Sequence, residues 1–262
     1  MAAVLLTVLS QLISNAAAGS DATMGNRWLM MVTTQSTDPA REAEFNDWYD
    51  RIDIPDVLEV PGYMRARRGQ GQRVPEFPNA DLQDDEGKYV ALYDIESEAI
   101  DKTIIEMLMA TRKMEQRGRS TDLLRVVERV YYRQQAPAIE RSSPASSGGH
   151  AYLYVVKIDC CHDEAAERQF AEWYDATYAP AILGTDGFIR VTRYRLYRVL
   201  MTDPIPMPNF LAVYEIEAES AEQAMKNMFS MVEKLHETGQ MSALYAEGGS
   251  TVYLTINDTR RN

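Results

Sequence analysis

An α+β fold of two tandem βαββαβ units, closed on one another, is what this 262-residue chain predicts. Three observations carry the expectation. Phe45-Asn46-Asp47-Trp48-Tyr49-Asp50 recurs as Phe170-Ala171-Glu172-Trp173-Tyr174-Asp175, and Pro55 and Leu58 return at the same offset as Pro180 and Leu183. The match extends outward over most of the chain, as a duplicated unit requires. Asp38 answers Asp163, Trp28–Val32 answers Leu153–Lys157, Gly62–Arg65 answers Gly187–Arg190, Ala91–Glu96 answers Ala212–Glu217, Met107 answers Met228, and Val130-Tyr131 answers Val252-Tyr253. Each copy also runs through the same succession of hydrophobic periods.

In the first copy, residues 28–34 are a short apolar run of strand formers. Asp38-Pro39 reads as an N-cap with proline in the first turn. Phe45, Trp48, Tyr49 and Ile52 follow at helical spacing, and Pro55 stops or kinks that helix. Val60-Pro61-Gly62 is a turn, and Tyr63–Arg68 alternates like a second strand. Residues 71–87 form a loop, as do 200–209 in the second copy. A strand over 88–95, a helix over 97–116 with Ile104, Leu108 and Met109 facing inward, and a strand over 125–133 complete the unit. This order is the ferredoxin-like one, which leaves one sheet face bare. Two such faces pressed together would enclose a cavity.

The units therefore span 27–135 and 151–262, joined by a Pro/Ser/Gly-rich linker over 136–150. Residues 1–26 match neither copy and read as a non-structural leader or an upstream-extended frame. A secretory signal is the other reading, although nothing basic precedes Arg27. The apolar run is too short and interrupted to span a bilayer. A net charge of −12 argues against nucleic acid. The two cysteines, Cys160 and Cys161, are adjacent and lack metal-ligand spacing; they read as reduced thiols in a cytoplasmic protein. None of the three histidines has a partner at metal-ligand spacing, so no metal is expected.

The Phe-x-x-Trp-Tyr-Asp block, its proline turn and the following Pro-Gly-Tyr resemble the dimeric α+β barrel superfamily, most closely its EthD-like branch. The resemblance spans both copies and implies an intramolecular version of that barrel, in a protein that is often a homodimer. Members are typically small enzymes without cofactors: isomerases, cyclases and lyases acting on lactones, polyketides or aromatic breakdown products. Others are monooxygenases, and distant relatives hold haem. The expectation drawn is a cofactor-independent lyase or isomerase working by proton transfer on a small hydrophobic ring or carbonyl substrate; the alternative is a binding protein serving an oxygenase.

EthD-like proteins commonly carry a histidine two residues before the turn proline. Here Asp53 and Tyr178 stand there. Asp53 is a general base if burial raises its pKa, and Tyr178 a donor to an oxyanion. The bland reading has Asp53 capping the turn and Tyr178 packing at a helix end. Trp48, Tyr49, Trp173 and Tyr174 are core or cavity lining. Arg65 and Arg190 bind a carboxylate or enolate if they point inward and are solvated if they point out. Tyr93 and Tyr214 line the cavity or fill it.

Overall fold

The computed structural model describes residues 26–74, 88–142, 149–161, 163–201 and 207–261. The expected leader (apart from Asn26), most of the 71–87 loop, part of the linker and His162 lie outside them.

The N-terminal half begins with β1 (Arg27–Ser36), a short turn after Asp38, and α1 (Glu42–Trp48). Asp38 caps the turn as expected, accepting from the Ala40 amide at 2.9 Å. A wide π-turn over Tyr49–Asp53 leads directly into α2 (Ile54–Leu58). Pro55 therefore does not stop the helix. It sits in the first turn of α2, where its missing amide costs nothing. β2 (Tyr63–Gln72), β3 (Tyr89–Glu96), α3 (Ile100–Gln116) and β4 (Leu124–Gln134) follow.

Ile139–Glu140 then forms a short strand, β5, pairing with Val191 and Arg190, so the linker is not wholly irregular. The C-terminal half runs β6 (His150–Ile158), α4 (Glu164–Trp173), a π-turn over Tyr174–Tyr178, α5 (Ala179–Leu183), β7 (Phe188–Met201), β8 (Phe210–Ala218), α6 (Ala221–Glu237) and β9 (Glu247–Arg260). Gly62 and Gly187 precede β2 and β7, each with φ of +94°. A Cβ on Gly62 would lie 2.9 Å from the Glu96 carbonyl oxygen, so glycine is required there on two counts.

The long strands pair in the order β4-β1-β3-β2-β9-β6-β8-β7, all antiparallel, and β7 pairs back onto β4. The result is a closed barrel of eight strands with helices outside it. Closure leaves no long bare edge in this sheet. Its interior is packed rather than hollow. Leu29, Met31, Leu92, Tyr132, Leu211 and Tyr253 meet there, each at most 5% exposed. Ion pairs flank this apolar layer: Arg67 reaches Asp94 at 2.7 Å and Glu215 at 3.1 Å, and Lys157 reaches Glu128 at 3.3 Å. The expected cavity between the two inward sheet faces is thus filled by side chains.

A second pair of packed layers lies between the barrel wall and the helices. Each half has its own layer there, one built on Phe45, Tyr49 and Tyr93 and one on Phe170, Tyr174 and Tyr214. The registers also correct the strand alignment by one residue. Met30 pairs with Tyr93, and Tyr154, not Val155, pairs with Tyr214. Likewise Tyr131 faces its helices as Val252 does, while Tyr132 and Tyr253 share the barrel interior. In α3, Ile104 and Met107 are buried, but Met109 is 57% exposed rather than inward.

Candidate functional site

Asp53 closes the π-turn, and that turn directs its carboxylate onto the barrel wall. The residue is half-buried, and Tyr93 Oη donates to Asp53 Oδ2 at 3.2 Å. Burial pushes the Asp53 carboxyl up to about 6, against the opposing pull of the Arg129 charge and the Tyr93 hydrogen bond. Tyr93, at the middle of β3, also hydrogen-bonds Tyr49. Burial raises both phenols well above the usual range, and the Asp53 charge adds to it.

Two further tyrosines complete this layer. The Tyr63 and Tyr131 hydroxyls are 3.0 Å apart, and Tyr63 lies 3.6 Å from the Met30 sulfur. Burial raises the Tyr131 and Tyr63 phenols above the usual range; the charge of Arg129, two residues before Tyr131 on β4, opposes that rise and favours the Asp53 anion. Its Nε is buried and has no hydrogen-bond partner among the described residues. Beside this group Arg68 is fully enclosed. It bonds Asn46 at 2.6 Å and Asp50 at 3.2 Å, and lies over Tyr49 at 4.3 Å and Tyr89 at 4.6 Å. Those contacts make Arg68 a structural keystone between α1 and β2.

The C-terminal layer keeps the scaffold and changes the chemistry. Tyr178 takes the Asp53 position and Ser250 the Arg129 position. Tyr178 hydrogen-bonds Tyr245, and burial pushes it up to about 12. Tyr174 and Tyr214 share a hydrogen bond, Tyr154 bonds Ser250, and Ser250 bonds Glu247. Arg193 holds Asp175 at 2.6 Å and lies 5.2 Å from the Tyr174 ring centroid, echoing Arg68 with fewer rings.

Asp53, Tyr49 and Tyr93 are thus together in one layer, and Tyr174, Tyr178 and Tyr214 in the other. Asp53 and Tyr178 lie in separate layers and do not share a site. Trp48 and Trp173 each donate Nε1 to a backbone carbonyl, of Arg119 and Gln240, both at 2.7 Å. Each pins its helix to the turn after the long helix; Trp173 also lies 5.2 Å from the Tyr178 ring. Arg65 and Arg190 point toward the barrel side but are engaged with acids: Arg65 meets Asp258 at 2.7 Å, and Arg190 lies 3.8 Å from Glu215. Sequence reasoning missed Arg129, Tyr63, Tyr131, Tyr245 and Ser250. Period-two spacing from Tyr131 places Arg129 on the same face, the signal that was there to read.

Neither described histidine is enclosed as a haem ligand would be. His150 and His236 are exposed, and among the described residues no group of three or more His, Cys, Asp or Glu is placed to hold a metal. Both cysteines are free and buried, with Sγ atoms 2.7 Å apart. Among the described residues no helix is long and apolar enough to cross a membrane.

No known family matches the sequence, and no curated protein does. Solved structures do resemble the chain in three dimensions. An anthrone oxidase-like protein matches with a TM-score of 0.52 at 13% identity, over 92% of this chain and 95% of that one. The encapsulated DyP-type peroxidase from Mycobacterium smegmatis gives 0.53 at 10% identity, over 87% and 92%. A dye-decolorizing protein from V. cholerae gives 0.50 at 8% identity, over 87% and 93%. The chain has the dimeric α+β barrel fold that these neighbours share. Their names describe oxidative proteins, and this overturns the expectation of a cofactor-independent lyase or isomerase; the binding-protein alternative gains no support from them either.

Proposed function

We propose that the N-terminal helix–sheet layer is the active site of an oxidative enzyme acting on a small hydrophobic ring ketone or phenol. The observation that carries this reading is Asp53, a carboxylate held near neutrality by burial against Tyr93. A base with such a pKa is matched to removing a proton from an activated ring carbon. Asp53 takes that proton, and the resulting carbanion gives its electron pair to dioxygen, forming a C–O bond. The proton returns to the peroxide, and loss of water leaves a carbonyl. Overall, a ring CH2 and O2 become C=O and H2O, so atoms and electrons balance. An anthrone is the substrate class suggested by the oxidase-like neighbour.

We further infer that the halves are two copies of one EthD-like unit, 27–135 and 151–262, joined by 136–150. The constant offset of the Trp-Tyr-Asp blocks supports this. Homodimer formation belongs to the same proposal, and light scattering on the purified protein tests it. Oxygen uptake with anthrone tests the chemistry. Asp53→Asn is expected to slow it at least ~100-fold, the scale of losing a general base. Undiminished uptake in that variant defeats the proposal.

A further inference from the structure

Arg129 is a charged member of the Asp53 layer to which the proposed proton transfer gives no task. It lies on β4, two residues before Tyr131 and opposite Val32 of β1. Its neighbours by charge are Asp53, Tyr49, Tyr63 and Tyr131, from the π-turn, β2 and β4. No ion pair or hydrogen bond of Arg129 is found among the described residues, and its buried Nε is unsatisfied. Burying a guanidinium N–H without an acceptor is costly, so such a donor is retained where something else supplies the acceptor. The Nε atoms of Arg67 and Arg68 are unpartnered too, but those arginines, like Arg193, each hold an acid: Arg67 holds Asp94 and Glu215, Arg68 holds Asp50, and Arg193 holds Asp175, whereas the half-buried Arg129 holds none among the described residues. The equivalent position in the other half is Ser250, which is bonded to Glu247. A guanidinium without a bonded acid, beside the phenols of Tyr49, Tyr63 and Tyr131 and near the Asp53 carboxyl, has the chemistry of an anion receptor. Its fork suits an oxyanion attached to a ring, and the phenol rings suit the ring itself.

We infer that Arg129 binds an anionic oxygen carried by the substrate, so that this layer selects aromatic ring compounds bearing a carboxylate or a phenolate over neutral ones. The inference rests on the proposed active site and narrows its substrate class. It also gives Arg129 a role separable from that of Asp53: Arg129 holds the ligand, Asp53 moves the proton. Arg129 touches substrate in this account, and its removal affects affinity before it affects chemistry.

Equilibrium binding measured by calorimetry at pH 8, without turnover, tests it. Three naphthalene probes serve: 2-naphthoate as carboxylate, 2,4-dinitro-1-naphtholate as phenolate and 2-naphthamide as neutral control. The wild-type chain is expected to bind at least one anion about tenfold or more tighter than the amide, the scale of a charged hydrogen bond. The carboxylate and phenolate arms show which oxygen is preferred. Arg129→Gln is expected to erase the preference and Arg129→Lys to keep part of it. No preference in the wild-type chain overturns the inference without any variant, and so does a preference that survives in Arg129→Gln. Asp53→Asn separates the two readings. Lost oxygen uptake with anion binding retained or tightened upholds both. Retained uptake defeats the Asp53 base while leaving Arg129 standing.

Discussion

The two helix–sheet layers have almost the same skeleton and opposite chemistry. Both place a π-turn directly after the tryptophan of the Trp-Tyr-Asp block, both bury a tyrosine at its start and another opposite on the sheet, and both pin an arginine to the aspartate of the block. Besides ring exchanges such as Tyr63 for Phe188 and Tyr131 for Val252, they part in charge at two aligned positions. Asp53 and Arg129 make the N-terminal layer charged; Tyr178 and Ser250 make the C-terminal layer phenolic. A carboxylate brought to about 6 can exchange a proton near neutral pH, whereas a phenol pushed up to about 12 cannot act as a base there. The difference teaches that a scaffold of this kind accommodates a phenol in place of the carboxylate at its π-turn where another hydroxyl meets it, as Tyr245 meets Tyr178.

The comparison can be broken in order of expected effect. Arg68 is wholly enclosed and faces three rings, while Arg193 is 8% exposed by side chain and faces one. Denaturant unfolding is expected to show Arg68→Ala costing about 3–4 kcal/mol and Arg193→Ala about 2 kcal/mol. Equal costs would mean the arginines are alike despite their surroundings. Next comes catalysis. Oxygen uptake is expected to fall ~100-fold in Asp53→Asn and less than about threefold in Tyr178→Phe. A reversed order would transfer the active site to the other half.

The pH dependence sharpens the same contrast. Because the ionised carboxylate is the base, the wild-type rate should climb with pH through about 6 and level off above it. Tyr178→Phe should leave that profile in place, and a flat profile would remove Asp53 from the rate. Stability moves the other way. The folded-state pKa of Asp53 lies above the ordinary unfolded value of about 4, so the folded chain holds the proton more tightly. The carboxyl therefore burdens the fold progressively as pH rises from about 4 through about 6, and not below that window. Asp53→Asn should unfold about 1–2 kcal/mol harder than wild type at pH 8, with the gap closing near pH 4. A gap of the opposite sign would place Asp53 in a stabilising pair.

Much of this was legible in the chain. The doubled Phe-x-x-Trp-Tyr-Asp block, the cap at Asp38, the turns at Gly62 and Gly187 and the succession of strands and helices all follow from local rules. The phase of the strands was not legible. Trp28 to Val32 is buried residue by residue, because one face meets the helices and the other the barrel interior. A strand apolar on both faces has no alternation to fix its register, and a slip of one residue exchanges the faces. The same cause hid the filled interior, since inward and outward residues look alike. Asp53 stood out because it replaced an expected histidine at a turn. Arg129 did not, since a charge within a mixed strand reads as surface until its partners, or their absence, are seen. Pro55 misled for a simpler reason: a π-turn lets the helical path continue into a proline-started helix.

A carbon-13 NMR titration of labelled aspartate, with Asp53→Asn to assign the resonance, addresses the central claim most directly. The account predicts that the Asp53 carboxyl titrates near 6 in the folded protein. A midpoint at about 4, the value of an ordinary exposed aspartate, would contradict it.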